Sequence, residues 1–281
     1  MSAYCSQCGQ AIRQGTVYCP QCGKVVDGSS STFFHGTHRQ TIHEDFKTIV
    51  CEEPITQIDL SCKVLNVSVM SANLDAVRIT WGETGSWGVA VEQSNGHLHI
   101  RERNYLGFQN ISDVFLSEKH KQVHVQVPND YNGSITLSTD TGKIELVGIA
   151  TNEAIHVTSS AGWIDVVNVK SDESVFIKNA VGKISASNLH AEQDLSLSTT
   201  VGGISARRIG TGNRIFLTAQ TGSIDCTVAD NKENFKTIRR TGSFESPQTD
   251  IHGNGSKILE TSVIMGNVNI AFDGQETQKA T

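Results

Sequence analysis

Glycine recurs at a fixed interval of twenty residues through the second half of this 281-residue chain. Six equally spaced glycines, and a seventh that follows a four-residue insertion, stand at Gly142, Gly162, Gly182, Gly202, Gly222, Gly242 and Gly266. A fixed period of about 20 to 50 residues is the signature of a repeat architecture. The sequence therefore predicts a stack of similar units.

Apolar residues occupy the same positions in each repeat. Seven residues before the glycine stand Ile135, Ile155, Val175, Leu195, Ile215, Phe235 and Leu259. Two residues after it stand Ile144, Ile164, Ile184, Ile204, Ile224, Phe244 and Val268. Further apolar columns lie five residues before the glycine and four and seven after it. Apolar spacing of two on both sides of a glycine predicts two short strands per repeat that meet at a tight bend.

The repeats predict an all-β fold, a parallel β-helix or solenoid with about 20 residues per coil. A single coil cannot bury its apolar side alone, so successive coils are expected to stack in chain order, with parallel strands and like residues piled on like. Seven coils at a spacing of about 4.8 Å give a column of roughly 30 Å. Regular coils are expected from about residue 133.

Strand-like runs without the strict period precede these repeats. They are Gln57–Leu60, Leu65–Val69, Val77–Trp81, Gly88–Glu92, His97–Arg101 and Val123–Val127. Turn signals such as Ser94-Asn95-Gly96 separate them. Two interpretations stay open: irregular early coils of the same solenoid, or a separate small β domain. The first interpretation places the solenoid at 45–272, followed by a polar tail at 273–281.

The amino terminus carries two C-x-x-C pairs, each followed directly by glycine. Their cysteines are Cys5, Cys8, Cys19 and Cys22. Each pair points two sulfurs at one ion, and two pairs complete a tetrahedral thiolate site with no open position, which predicts one structural Zn²⁺. Residues 1–25 resemble the zinc ribbons at the start of many bacterial proteins, and a linker is expected at 26–44. A thioredoxin-like dithiol and coincidental cysteines are the alternatives.

Composition limits the possible partners and the location. The formal charge is −6 and no long basic run occurs, so the basic stripe needed for duplex nucleic acid is missing. Residues 1–9 do not read as a signal peptide, and no apolar run of about 18 residues predicts a membrane span. Seven cysteines, an odd number, argue against a disulfide framework. We expect a cytoplasmic protein, peripheral at the membrane only through a partner.

Three bends of the repeat share a short motif: Thr141-Gly142-Lys143-Ile144, Thr221-Gly222-Ser223-Ile224 and Thr241-Gly242-Ser243-Phe244. On these motifs, residues 45 to 272 resemble the bacterial putative-adhesin family of β-helix proteins, long described as a domain of unknown function. The resemblance implies the fold and a loose association with the cell envelope. It implies no reaction, and it transfers no site residues.

Several side chains invite a functional interpretation. Cys226 falls in an inward column beside Ala186 and Ala206, so it is expected to fill the core. The acidic residues three positions after the glycine are Glu145, Asp165, Asp225 and Glu245. Enzymes that cleave polysaccharides use clustered carboxylates on such a face, but Ser185 and Ser205 interrupt this row, and a solvated face is the preferred interpretation.

Large aromatic residues at outward positions are more informative. Phe176 and Phe216 fall six residues before the glycine, and Trp163 falls one residue after it. Exposed apolar groups of this size often mark contact surfaces, although these three are equally compatible with packing beneath a loop.

The sequence therefore predicts a non-enzymatic binding or scaffolding protein, related to the envelope or to envelope stress, with a protein as its partner. The alternatives are a carbohydrate-active β-helix enzyme and a self-assembling β-helix filament. The oligomeric state stays open.

Overall fold

A computed structural model of the chain describes residues 3–4, 11–12, 45–83, 87–104, 121–242, 248–253 and 255–273. Near the amino terminus, β1 (Ala3–Tyr4) and β2 (Ala11–Ile12) form an antiparallel pair. All later strands belong to one continuous hydrogen-bonded network. Those before the repeats are β3 (Asp45–Val50), β4 (Gln57–Cys62), β5 (Asn66–Ala72), β6 (Arg78–Glu83), β7 (Trp87–Ser94), β8 (His97–Asn104) and β9 (Gln122–Pro128).

The repeat region continues the network with strands at more regular intervals. They are β10 (Ser134–Val147), β11 (Ala150–Thr151), β12 (Ile155–Ser171), β13 (Val175–Val181), β14 (Ile184–Ala191), β15 (Asp194–Val201), β16 (Ile204–Thr211), β17 (Arg214–Thr221), β18 (Ile224–Val228), β19 (Phe235–Thr241), β20 (Gln248–His252), β21 (Lys257–Met265) and β22 (Val268–Phe272). A 3₁₀ turn, Lys232–Asn234, precedes β19. No helix among the described residues has the length and apolar character that crossing a membrane requires.

The repeated glycines lie at the bends, and from Gly142 to Gly222 each lies above the previous one. Their φ angles run from +124° to +146°, a region that L side chains rarely adopt. Space is equally restrictive, because a Cβ at Gly182 would overlap the carbonyl oxygen of Gly162. The bend therefore requires glycine for two independent reasons, and this explains the twenty-residue period.

Neighbouring coils stack in parallel with like residues paired. Ile155 pairs with Val175 before the bend, and Ile164 pairs with Ile184 after it. From Ile135 to Cys226, every residue of the five inward columns is at most 2% exposed. The predicted solenoid of about twenty residues per coil is confirmed, and its core is a continuous apolar column between two sheets.

The two sheets meet at the glycine bend. The first, formed by strands before the bend, has the order β7-β8-β4-β10-β12-β13-β15-β17-β21-β19-β20. The second has the order β3-β6-β9-β5-β10-β12-β14-β16-β18-β22. The long strands β10 and β12 run through the bend and contribute to both.

Stacking in chain order fails at the carboxyl end. The coil of Gly266 packs directly on that of Gly222, and β19 lies outside it. The register of β19 is also shifted by two residues, because Thr237, not Phe235, pairs with Leu259. An even shift keeps the same face inward, so Phe235 is still buried. The composition of β19 explains its outer place. It has polar residues, Thr237 and Arg239, at inward positions, and these suit the end of the stack better than its apolar interior.

The early strands show the same non-sequential order. β4 and β5 stack in parallel on β10, while β8 and β9 stack on their other side. The chain therefore makes one coil, leaves it to form an outer coil, and returns to begin the regular repeats. Asn95 and Gly96 connect β7 to β8, and both have positive φ, as a two-residue hairpin turn requires.

Buried polar side chains also recur. Three residues before the glycine, Asn179 Nδ2 donates to the carbonyl oxygen of Gly162 at 2.8 Å, and Thr199 Oγ1 donates to that of Gly182 at 3.3 Å. At a second turn, Ser171 Oγ donates to the carbonyl oxygen of Glu153 at 2.8 Å. These bonds satisfy backbone acceptors that the bends leave unpaired inside the protein.

Candidate functional site

The four cysteines predicted to bind zinc, Cys5, Cys8, Cys19 and Cys22, lie outside the described residues. β1 and β2 pair on either side of residues 5–10, the segment that carries the first two. An antiparallel pair around a C-x-x-C sequence suits a zinc knuckle, and four thiolates are a donor set that zinc binds as a closed tetrahedral site. The chain's residues thus fit one structural zinc ion. Within the described part of the chain, no group of three or more His, Cys, Asp or Glu is placed to hold a metal.

The three other cysteines are buried thiols. Cys51, Cys62 and Cys226 are each at most 4% exposed. Burial, with a smaller contribution from Glu102, raises the pKa of Cys62 to about 12, and burial with a smaller contribution from Asp225 raises the pKa of Cys226 to about 12. These two groups are protonated at neutral pH and unsuited to nucleophilic or redox work, so the core role expected for Cys226 is confirmed.

The outward aromatic residues occupy two different places. Trp163 lies at the bend, and 64% of its surface is exposed. Phe176 and Phe216 share an outward column of the first sheet, two coils apart, with Ser196 between them. Phe176 stacks on His156 with ring centroids 5.0 Å apart, and the Arg214 guanidinium lies 5.7 Å from the Phe216 centroid.

These positions do not form one compact patch. Seven residues of extended chain, roughly 20 Å, separate the column of the two phenylalanines from the position of Trp163. The structure therefore brings Phe176 and Phe216 to one face and leaves Trp163 at the neighbouring bend.

Trp163 has apolar neighbours along the bend that the sequence interpretation overlooked. Val181 and Val201 pair with each other one residue before their glycines, and Met265 occupies the same position two coils further on. About half or more of each of these three side chains is exposed. We call Trp163, Val181, Val201 and Met265 the bend ridge.

Lys143 forms ion pairs with two carboxylates of the acidic row, the acidic residues that stand three positions after the glycine. Lys143 Nζ lies 2.6 Å from Glu145 Oε1 and 2.8 Å from Asp165 Oδ2. Burial lowers the pKa of Lys143, but the hydrogen bonds and charges of Asp165 and Glu145 outweigh it and raise the pKa above its ordinary value. Further along the row, Asn269 Nδ2 donates to Asp225 at 3.2 Å. Glu245 lies outside the described residues.

A polar recess of about 190 Å³ opens beside this lysine. Its lining comes from three neighbouring coils: Asn66, Val67, Ser68, Gln122, Lys143 and Glu145. The backbone N–H of Lys143 donates to Asn66 Oδ1 at 2.8 Å, which fixes the amide at the rim. Ser68 pairs with Glu145 in the next strand, so its hydroxyl and that carboxylate stand in neighbouring positions of one row.

A buried histidine lies further along the same row. His124 pairs with Ser68 on β9 and is 3% exposed. Burial lowers the pKa of His124 to about 4, against the smaller opposing effect of the Glu145 charge. The imidazole is therefore neutral at pH 7. Among the described residues that line the recess, Lys143 contributes one ammonium and Glu145 one carboxylate.

Sequence reasoning missed this recess because its residues come from non-sequential coils. Residues 66 and 143 are neighbours only because the chain returns after β9 to stack β10 on β5. A signal did exist, since Asn66-Val67-Ser68-Val69 and Gln122-Val123-His124-Val125 share one alternation of polar residues and valine. That pattern shows which side chains of the two strands lie on the same face, but it does not show that β5 lies next to β10.

Comparison with known families gives two matches. A family model described as Toastrack DUF4097 matches residues 55–280, and a zinc-ribbon domain matches residues 4–26. No curated protein matches the sequence.

Solved structures of low sequence identity resemble the chain. A putative adhesin from Bacteroides fragilis NCTC 9343 is 14% identical, with 80% of this chain and 97% of that one covered and a TM-score of 0.48. A putative adhesin from Parabacteroides distasonis ATCC 8503 is 13% identical, with 82% and 98% covered and a TM-score of 0.44. A putative lipid binding protein from the same strain has the same identity and coverage and a TM-score of 0.40.

Proposed function

Because this chain belongs to the Toastrack DUF4097 family and carries a zinc-ribbon domain at its amino terminus, we propose that it is a non-enzymatic binding protein. Its solenoid presents a rigid lateral surface to a protein partner. The zinc ribbon, held by one structural Zn²⁺ on Cys5, Cys8, Cys19 and Cys22, supplies a second contact.

The bend ridge is the observation that carries this proposal. Large exposed apolar side chains on a scaffold whose backbone is fixed by stacked hydrogen bonds are typical of contact surfaces, because little ordering cost remains on binding. Trp163 is its largest side chain, and tryptophan is among the residues that most often dominate interface energies. Phe176 and Phe216 provide a second, separate aromatic contact on the first sheet.

The acidic row supports binding over glycoside hydrolysis. That reaction needs one carboxylic acid to protonate the leaving group and one carboxylate. Here Lys143 donates to both Glu145 and Asp165, so the two carboxyl groups have similar surroundings and not the different ones that an acid and a base require. The arrangement suits recognition, where both groups act as acceptors.

The ends of the first sheet disfavour a self-assembling filament. β7 pairs antiparallel with β8 at one end, and β20 pairs antiparallel with β19 at the other. Continuing a parallel stack from one molecule to the next would require parallel edges at both ends.

The location we propose is the cytoplasm, with attachment to the envelope side through the partner. Three buried free cysteines and a thiolate zinc site fit a reducing compartment. A role in envelope stress is the corresponding physiological proposal.

Affinity capture from native lysate tests this function with four baits. They are the full chain, a Trp163→Ser variant, a Phe176→Ser and Phe216→Ser double variant, and a chain that lacks residues 1–40. We expect Trp163→Ser to lose the partner while its melting temperature stays nearly unchanged, because the side chain is exposed and leaves no core cavity. Lys178→Ser, at an exposed position of the first sheet, is the control. Unchanged capture by Trp163→Ser would remove the bend ridge from the interface.

A further inference from the structure

Phe176 and Phe216 stand two strands apart in one outward column of the first sheet, with Ser196 between them. Phe176 is 38% exposed and Phe216 is partly exposed, so both rings have surface that a partner can contact. Ring spacing in this column follows the spacing of the strands, because His156 and Phe176, one strand apart, have centroids 5.0 Å apart and nearly parallel planes. Two strand spacings therefore place the two phenylalanines about 9.6 Å apart.

This separation discriminates between the regular conformations of a peptide that runs along the stack. A polyproline II helix has three residues per turn, so its residues i and i+3 lie on one face about 9.3 Å apart. An extended strand returns to the same face about every 6.7 Å. Two turns of an α-helix rise about 10.8 Å. The polyproline II period matches the two rings most closely.

Hydrogen-bond donors stand on both sides of the two rings. Ser198 and Thr218 belong to the next outward column on the side of the bend. Arg214 stands on the other side, with its guanidinium 5.7 Å from the Phe216 centroid. In the described part of the chain, the side chains of Ser198, Thr218 and Arg214 have no hydrogen-bond or ion-pair partner. A proline-rich segment has few N–H groups, and its carbonyl oxygens have no internal partners, so these donors complement its backbone.

We propose that this column binds a proline-rich segment of a protein partner in the polyproline II conformation. Prolines at positions i and i+3 of the segment pack on Phe176 and Phe216. The carbonyl oxygens beside them accept hydrogen bonds from Ser198, Thr218 and Arg214. Grooves lined by aromatic side chains recognise such segments because the helix is already formed and little conformational entropy is lost on binding. The inference rests on the proposed function, since the occupant belongs to the protein partner.

Titration of a fluorescent peptide of ten prolines with the full chain, followed by anisotropy, tests the inference. We expect a Kd of about 1 mM or tighter and no binding of a peptide of ten alternating glycines and serines. Phe216→Ser should weaken binding of the proline peptide about tenfold, because one of the two contact rings is lost. Phe46→Ser is the matched control, since it removes a phenylalanine of equal exposure from the second sheet and should leave the affinity unchanged.

A variant that combines Phe216→Ser with Ser196→Phe tests the spacing itself. It keeps two phenylalanines but places them one strand apart, about 4.8 Å, so we expect the same tenfold loss. These side chains point outward, and melting temperatures should stay within about 4 °C of wild type.

Three results would overturn the inference. They are wild-type affinity of the combined variant, failure of the wild type to bind the proline peptide, and tighter binding of a β-1,4-linked glucose hexasaccharide than of that peptide. The capture experiment with Trp163→Ser measures the bend ridge, whereas this titration measures the two phenylalanines. A failure here with partner capture intact therefore leaves the proposed function standing.

Discussion

Gly182→Ala is the sharpest perturbation of the stacked bend. Gly182 has φ of +132°, and a side chain in a left-handed conformation costs about 1–2 kcal/mol. The added Cβ would also overlap the carbonyl oxygen of Gly162, so the backbone of one coil must shift against the next. Overpacking of this kind costs about 1–3 kcal/mol. We expect a total loss of about 2–5 kcal/mol in the free energy of unfolding.

Thermal and urea unfolding of the full chain measure this loss. For a domain of this size, each kcal/mol lowers the melting temperature by about 2–4 °C, so a fall of roughly 10 °C is expected. Gly203→Ala is the matched control: Gly203 does not have a positive φ, and its Cβ would meet only Ser223 O at 3.3 Å. That change should stay within about 1 kcal/mol. Equal destabilisation by both variants would refute the argument that φ and stacking select glycine at the bend.

Three further outcomes follow from the structure. Ile184→Asp should unfold the solenoid in thermal melts, because Ile184 is fully buried between neighbouring coils, whereas Lys183→Asp, at an exposed position one residue earlier, should be tolerated. A Cys19→Ser, Cys22→Ser protein should retain almost no zinc in elemental analysis, and a full equivalent would contradict the ligand assignment. The pKa of His124, lowered to about 4 from an unfolded value of about 6.5, means that its contribution to stability is complete above pH 6.5 and falls as pH drops through 4, by about 3 kcal/mol in total. His124→Gln should flatten that part of the pH dependence of unfolding.

The regular coils could be predicted from the sequence because each column repeats one local requirement. A bend that only glycine fits and apolar residues at a spacing of two are visible without knowing which strands pair. The early strands were likewise visible from alternation and turn residues: Ser94-Asn95-Gly96 marks the hairpin between β7 and β8. A second bend lies six residues after the glycine, where Asn168 and Asn188 take positive φ. The asparagines at this position are a turn signal that the alignment on glycine did not use.

The sequence interpretation gave the order of the regular coils up to that of Gly222 correctly, but it was wrong at the carboxyl end, for a physical reason. Equal spacing specifies the register of strands but not which coil neighbours which, because any coil with the right inward residues can pack on any other. The coil of Gly242 follows that of Gly222 in sequence, yet the coil of Gly266 takes its place in space. The polar recess was missed on the same ground, since Ser68 and Glu145 become neighbours only through a non-sequential pairing.

Site-specific photo-crosslinking tests the central claim, that the bend of the solenoid binds a protein partner, most directly. A benzoylphenylalanine in place of Trp163 probes the bend ridge, and one in place of Asp172 probes an exposed turn nine residues further along the coil. Irradiation in native lysate should join the partner to the chain at position 163 and not at position 172. Adducts of equal yield at both positions, or an adduct at position 172 alone, would contradict the account.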